Sequence, residues 1–119
     1  MSQKISLARL QDITTNIGNI ESYLHGRSLA DFQNDNMLRQ AVERAIEIIS
    51  EASRHLPDEA KARFPLIPWH EIKAIGNILR HEYQRVDAEA VWQTATLDLD
   101  SLRQAVETMR QEIMTVRKT

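Results

Sequence analysis

The chain has 119 residues, of which 42% are hydrophobic and 27% are charged, and its formal net charge is −2. These values are typical of a soluble globular protein, so we expect residues 1–119 to form a single domain. The net charge argues against nucleic-acid binding through bulk positive charge alone, but it is compatible with a small local basic site or with one formed by two subunits together. The absence of cysteine excludes disulfides and cysteine-ligated metals. The N-terminus "MSQKISLARLQ" lacks the apolar core of a signal peptide. No apolar run approaches the ~20 residues that span a bilayer. Both observations favour a cytoplasmic protein without membrane contact.

The first part of the chain has the apolar spacing of a helix. A helix is predicted over residues 4–25, because apolar side chains recur at intervals of three and four. They are Leu10, Ile13, Ile17, Ile20 and Leu24. Gly26 is expected to end this helix, and "SLADF" is predicted as a turn that places Leu29 and Phe32 over the core.

A second helix is predicted from about Asn36 to Leu56, with Asp35 or Asn36 as its N-cap. Its apolar stripe consists of Leu38, Val42, Ala45, Ile49, Ala52 and Leu56. Pro57 ends the helix, and "PDEAKARF" is predicted as a short helix with Pro57 in its first turn.

Two further helices complete the prediction. One opens at Pro68 and runs to about Tyr83, and the last begins after the N-cap Asp87 and continues to about Arg117. The apolar stripe of the last helix consists of Leu99, Leu102, Val106, Met109, Ile113 and Val116. The predicted fold is therefore all-α, an antiparallel four-helix bundle with additional short helices.

The histidines do not form a recognisable metal site. His70 and His81 are each followed by glutamate, but the HExxH motif needs a second histidine four residues on, where Ala74 and Arg85 stand. No glycine-rich phosphate loop is present. We therefore predict neither a metal nor another cofactor.

The segment "AIGNILRHEYQRVD", residues 74–87, carries the residues best suited to chemistry. Asn77 and His81 share one helix face, Arg80 lies beside it, and Tyr83 follows. Histidine can transfer a proton near neutral pH, and arginine can hold a phosphate with two hydrogen bonds. RNA supplies its own 2′-hydroxyl nucleophile, so such a pair could cleave it without a metal, and a two-fold dimer would bring in a second His81.

Structural explanations for the same residues stay open. Arginine and histidine near a helix end commonly interact favourably with the helix dipole, and Tyr83 could be a helix-end packing residue. Gly76 is unusual within a helix and costs up to about 1 kcal/mol relative to alanine. Either a close helix contact or the approach of a ligand would account for it.

The segment from "RAIEIISEASRHL" to "AVWQTATLDL" resembles the HepT family of the HEPN superfamily, most clearly in "IPWHEI", "GNILRHEY", "VD" and "VW". The resemblance implies a helical homodimer that acts as the toxin of a bacterial type VII toxin–antitoxin pair. It implies a metal-independent ribonuclease, acting on RNA and expected to act on tRNA. The implied partner is an MntA-like nucleotidyltransferase antitoxin, which neutralises the toxin by transferring AMP to the motif tyrosine.

Transferred to this sequence, the family motif places the catalytic histidine at His81, the modified tyrosine at Tyr83 and a supporting asparagine at Asn77. The motif arginine corresponds to Gly76. In one interpretation Arg80 has taken over phosphate binding, since position 80 is about 40° around the helix and about 6 Å along it from position 76. In the alternative, catalysis is weakened and the chain is a dimeric binding partner and substrate of a minimal nucleotidyltransferase.

Residues elsewhere are predicted to have supporting roles. Glu47 and Glu51 could pair with Arg44 or Arg54, and Glu51 could instead orient Arg80 or His81. Two further groups have structural predictions only. Trp69 and Trp92 are expected in the core or at a dimer contact, and His25, His55 and His70 on the surface.

Overall fold

The computed structural model describes residues 4–82 and 87–118, with side chains to residue 116, and its helices confirm the all-α prediction. Every regular element within these residues is helical. The elements are α1 (Leu7–Leu24), α2 (Leu29–Asn34), α3 (Asn36–Arg54), α4 (Asp58–Ala62), α5 (Trp69–His81), α6 (Ala88–Gln93), a π-helical segment (Thr94–Asp98) and α7 (Leu99–Lys118).

Polar caps set most of the helix starts. The side chains of Ser6, Asp35 and Asp87 accept hydrogen bonds from backbone N–H groups in the first turns of α1, α3 and α6. Gly26 has a φ of 73°, which permits the chain reversal after α1. The prediction of a turn at "SLADF" is wrong, because Ser28 and Asp31 form a reciprocal capping box that starts the short helix α2.

The predicted apolar stripes form the core. All of the predicted stripe residues in α1 are buried except Leu24, which packs against the core half-buried, and the whole stripe of α3 is buried as far as Leu56. In α7, Leu99, Leu102, Val106 and Met109 are buried. The prediction for Val116 is wrong, since this side chain is 72% exposed near the end of α7.

The predicted last helix is divided. Backbone bonding changes to the π-helical pattern over Thr94–Asp98 before α7 resumes the α-helical pattern. Burial raises the pKa of Asp98, and the charge of Glu71 raises it further. The smooth period-3.6 spacing of apolar residues gave no sign of this local widening.

Contacts among the long helices run from α5 to α3, from α3 to α1 and from α1 to α7. The molecule is correspondingly elongated, with extents of 51 × 28 × 22 Å. Helix α3 is thus packed between α1 and α5. This arrangement leaves the outer face of α5, which carries the first part of "AIGNILRHEYQRVD", at one side of the molecule.

Gly76 lies where α5 crosses α3. A Cβ atom placed on this glycine would stand 1.9 Å from Oγ and 2.3 Å from Cβ of Ser50, distances that no packed structure tolerates. Both residues are fully or nearly fully buried. Of the two explanations for Gly76, the close helix contact is therefore confirmed.

We expect Gly76→Ala to lower the free energy of unfolding by about 1–3 kcal/mol, as overpacked core sites do, despite alanine's better helix propensity. Ser50→Gly should restore part of the loss in the double variant, because it removes both clashing atoms. Chemical denaturation of the four proteins measures this coupling.

Gly18 supplies the matched control, since it is in the middle of α1 and a Cβ atom added there would have no atom within 4 Å. Gly18→Ala should raise the free energy of unfolding by up to about 1 kcal/mol through helix propensity alone. Equal responses at positions 18 and 76 would contradict the packing role of Gly76.

Candidate active site

Arg80 is held in a fixed position between two helices. Its Nη1 atom lies 3.4 Å from Oε2 of Glu51 on α3, and its Nη2 atom donates to Oδ1 of Asn77 one turn earlier on α5. The side chain of Arg80 is 24% exposed, so its guanidinium is held by these contacts and is still accessible from solvent. The spacing i, i+3 of Asn77 and Arg80 makes the local contact, whereas the contact with Glu51 depends on the packing of α5 against α3.

Glu51 contacts three basic side chains. Besides Arg80, its carboxylate contacts Nη1 of Arg54 and Nε2 of His55, each at 3.1 Å. The hydrogen bond from His55 lowers the pKa of Glu51 most, and the charges of Arg54 and Arg80 lower it further. The carboxylate therefore stays ionised at neutral pH and can orient Arg80. We refer to Glu51, Arg54, His55, Asn77 and Arg80 as the Glu51 cluster.

His81 follows Arg80 directly and ends α5. Its side chain is exposed, and the backbone N–H of Glu82 closes the last turn on the carbonyl of Ile78 at 2.7 Å. Arg80 and His81 do occupy the last turn, where positive charge favours the helix dipole. The dipole alone does not explain Arg80, however, because its guanidinium is turned towards Glu51 and Asn77.

The structure brings three of the five predicted site residues together. Asn77, Arg80 and Glu51 are in direct contact. His81 is adjacent in the chain, but its side chain is directed to solvent. Tyr83 lies outside the described residues, so the prediction for this position is untested.

A groove runs beside the end of α5, along the first half of α3. It is lined by Leu79 from α5 and by charged residues of both signs from α3, including Arg39, Glu43, Arg44 and Glu47. Glu43 pairs with Arg39 at 3.8 Å, while burial raises the pKa of Glu43.

Sequence reasoning missed His55. The surface prediction for the histidines is confirmed by their exposure, but the spacing of four between Glu51 and His55 was a usable signal for their contact. The predicted pair of Glu51 with Arg54 and the alternative pair with Arg80 both form. The core prediction for the tryptophans is confirmed, since Trp92 packs on Phe32 with ring centroids 5.6 Å apart and Trp69 donates to two backbone carbonyls beneath it.

Two kinds of feature are missing from the described part of the chain. No three His, Asp or Glu side chains in residues 4–82 and 87–116 are grouped so that they could hold a metal ion. No helix within the same residues is long and apolar enough to cross a bilayer.

Comparison with known proteins connects this geometry to a family. A family model described as "Ribonuclease HepT-like" matches residues 13–109, a range that includes α5 and the whole Glu51 cluster. The chain is 38% identical over 101 residues to the "Probable ribonuclease HepT" of Thermococcus cleftensis, covering 85% of this chain and 92% of that one. It is 34% identical over 107 residues to a "Putative RNase" of Methanocaldococcus jannaschii, covering 90% and 98%. No solved structure matches.

The matches extend over nearly the full length of these relatives, and they coincide with the segments that carried the resemblance. The chain belongs to the HepT-like ribonuclease family of HEPN proteins.

Proposed function

We propose that this protein is the toxin of a type VII toxin–antitoxin pair and cleaves RNA, with tRNA as its target, without a metal ion. The family supports ribonuclease activity. The observation that carries the proposal for this chain is the placement of Arg80, whose guanidinium is fixed by Glu51 and Asn77 directly beside the exposed His81.

This arrangement suits cleavage by the 2′-hydroxyl. His81 would take the proton as the 2′-oxygen forms its bond to phosphorus, and the P–O5′ bond would break to leave a 2′,3′-cyclic phosphate and a 5′-hydroxyl. Arg80 would hold the non-bridging oxygens, using donors that Glu51 and Asn77 do not occupy, and stabilise the charge that develops there. The second proton transfer, to the 5′-oxygen, would come from His81 of the other subunit in a homodimer.

Arg80 is a physically reasonable replacement for an arginine at position 76. The crossing of α3 over Gly76 leaves no room for a side chain, so a guanidinium can reach this face of α5 only from a neighbouring turn. Nη1 of Arg80 in fact lies 3.8 Å from the position that a Cβ atom of residue 76 would take. The guanidinium of Arg80 thus lies next to the helix position that the family motif gives to its arginine.

Control of the toxin would act through Tyr83, two residues after His81. AMP transfer by an MntA-like nucleotidyltransferase would place a phosphate and a base next to His81 and obstruct RNA. The alternative function, a weakened HEPN dimer that serves as binding partner and substrate of such a transferase, is favoured by Gly76 at the motif position. The two functions differ in whether the chain itself cleaves RNA.

Purified protein is expected to cleave tRNA in EDTA, and His81→Ala should reduce the rate by about 10²–10⁴-fold, the usual contribution of a general acid or base. His25→Ala is the matched control, because this exposed histidine terminates α1 and is not in the Glu51 cluster. Gel analysis of the products should show cyclic phosphate ends. Absence of cleavage by the wild type would favour the alternative function, and cleavage only with added metal would contradict the mechanism.

Arg80→Lys should lower kcat/KM for tRNA at least tenfold, since lysine keeps the charge but cannot grip phosphate with two parallel hydrogen bonds. Glu51→Gln should lower it less, by weakening the hold on Arg80, and should leave the free energy of unfolding within about 1 kcal/mol because the ion pairs are partly exposed. Glu21→Gln, which removes an ion pair with Arg103 between α1 and α7, is the control. If the Glu51 and Glu21 variants have equal kcat/KM values, Glu51 has no role in the reaction.

The partner transferase, incubated with ATP and the protein, should add one adenylyl group per chain and abolish cleavage. Tyr83→Phe should prevent both effects. The chain has two tyrosines, and Tyr23→Phe is the control, since Tyr23 is an exposed residue of α1. Intact-protein mass spectrometry measures the modification, and labelling that survives in Tyr83→Phe would show that another residue is modified.

A further inference from the structure

A small cavity lies beside the Glu51 cluster, between α3, α4 and α5. Its volume is about 100 Å³, and it is lined by Ser50, Ser53, Arg54, Lys61, Trp69 and Lys73. A cavity of this volume is large enough for a group the size of a phosphate. Neither the ribonuclease mechanism nor the family motif uses it.

The lining is strongly basic for a chain with a net charge of −2. Arg54, Lys61 and Lys73 supply three positive charges, and no acidic residue lines the cavity. Arg54 and Lys61 have carboxylate partners outside it, in Glu51 and in Asp58 at 3.7 Å, but Asp58 is fully exposed. Lys73 makes no ion pair with any described residue. The cavity therefore presents cations whose charge is only partly neutralised.

The two serines give a second, independent indication of a ligand. Ser50 and Ser53 are 0% and 5% exposed, and neither hydroxyl has a hydrogen-bond partner among the described residues. A buried hydroxyl without a partner is costly, so such groups normally have one. Both hydroxyls line the cavity, but Ser50 also forms the contact with Gly76, so Ser53 is the serine that we assign as the donor to a bound group.

The cavity is linked to the proposed site through side-chain contacts. Arg54 lines the cavity and also contacts Glu51, and Glu51 contacts Arg80. Lys73 is seven residues before Arg80 on α5, so the two share a helix face and stand about 10 Å apart along the axis. A strand held by Arg80 could therefore place a neighbouring phosphate at Lys73.

We propose that Ser53, Lys73, Lys61 and Arg54 form a phosphate subsite that binds a backbone phosphate of the RNA next to the one that is cleaved. This subsite rests on the proposed ribonuclease function for its role, although not for its ability to bind phosphate. Ser53 donates a hydrogen bond to a phosphate oxygen, the lysines and Arg54 offset its charge, and the indole of Trp69 forms the apolar wall.

The first test is a titration with inorganic phosphate at constant ionic strength, followed by NMR. The chain has two tryptophans, so the two indole N–H signals report on Trp69 in the cavity and on Trp92, which packs against Phe32. We expect a saturable shift of the Trp69 signal and none for Trp92. Ser53→Ala and Lys73→Gln should each weaken phosphate binding at least fivefold, whereas Lys4→Gln, with the same charge change as Lys73→Gln, should not. A Trp69 signal that does not shift, or shifts equally in all variants, would overturn the subsite.

Ser53→Ala also separates a ligand site from a buried hydroxyl of no function. This variant should be at least as stable as the wild type without phosphate, because it removes an unpartnered polar group. The rise in melting temperature that phosphate gives the wild type should be lost. A rise that is fully retained in Ser53→Ala would contradict the role of Ser53.

The second test assigns the phosphate to RNA. In His81→Ala protein, which should bind without cleaving, fluorescence anisotropy measures the affinity for single-stranded RNA across salt concentrations. Lys73→Gln should reduce the slope of log K against log salt by about 0.7, the value for one lost phosphate contact on a single strand. Lys4→Gln should leave it unchanged. If the wild type binds inorganic phosphate but Lys73→Gln has the same salt slope as the wild type, the RNA assignment is overturned and the site binds free phosphate.

The outcomes for the subsite and for the ribonuclease are distinguishable. If the wild type fails to cleave tRNA but the Trp69 shift persists in phosphate, the ribonuclease proposal fails and the anion site stands. If the wild type cleaves and Lys73→Gln cleaves with the same kcat and KM as Lys4→Gln, the ribonuclease stands and the RNA subsite is overturned.

Discussion

The contact between Gly76 and Ser50 is the constraint on which the site depends. Two helices can approach this closely only where one has no side chain, and the approach brings α5 within reach of Glu51 on α3. Arg80 has a local polar contact with Asn77, and its contact with Glu51 crosses this interface. A bulkier residue at position 76 would therefore disturb the candidate active site through the packing of the helices, and it would also lower the stability of the fold.

The same contact accounts for the glycine at position 76 in a helix that carries a cation close by. Position 76 faces the buried interface, while position 80 is one turn further towards the open end of α5, where its guanidinium extends back over Gly76. In this chain Gly76, which packs against α3, is one helix turn before Arg80, which pairs with the carboxylate of Glu51. His81 stays next to the arginine, and Glu51 supplies the carboxylate that fixes it.

Charge in this protein is arranged locally. The net charge of −2 gives no indication of a nucleic-acid substrate, yet Arg54, Lys61, Lys73 and Arg80 lie along one side of the α3–α5 pair. Glu51 separates Arg80 from Arg54 and keeps both guanidinium groups in place. A single-stranded substrate that follows this side would meet several cations without the protein needing a basic surface overall.

The sequence by itself determined the long helices, most of their apolar faces and the family. Periodic apolar residues and polar caps are local signals, and they gave the stripes of α1 and α3 and the N-caps Asp35 and Asp87. Local spacing placed Asn77 and His81 on one helix face with Arg80 beside it, and the structure added the contact between Asn77 and Arg80. The sequence did not predict the helix α2, whose capping box was read as a turn, the π-helical segment or the exposure of Val116. Only the tertiary structure decided that Gly76 is a packing residue, that Glu51 joins His55 to Arg80 and that Ser53 lines a basic cavity, because each of these depends on contacts between helices that are distant in sequence.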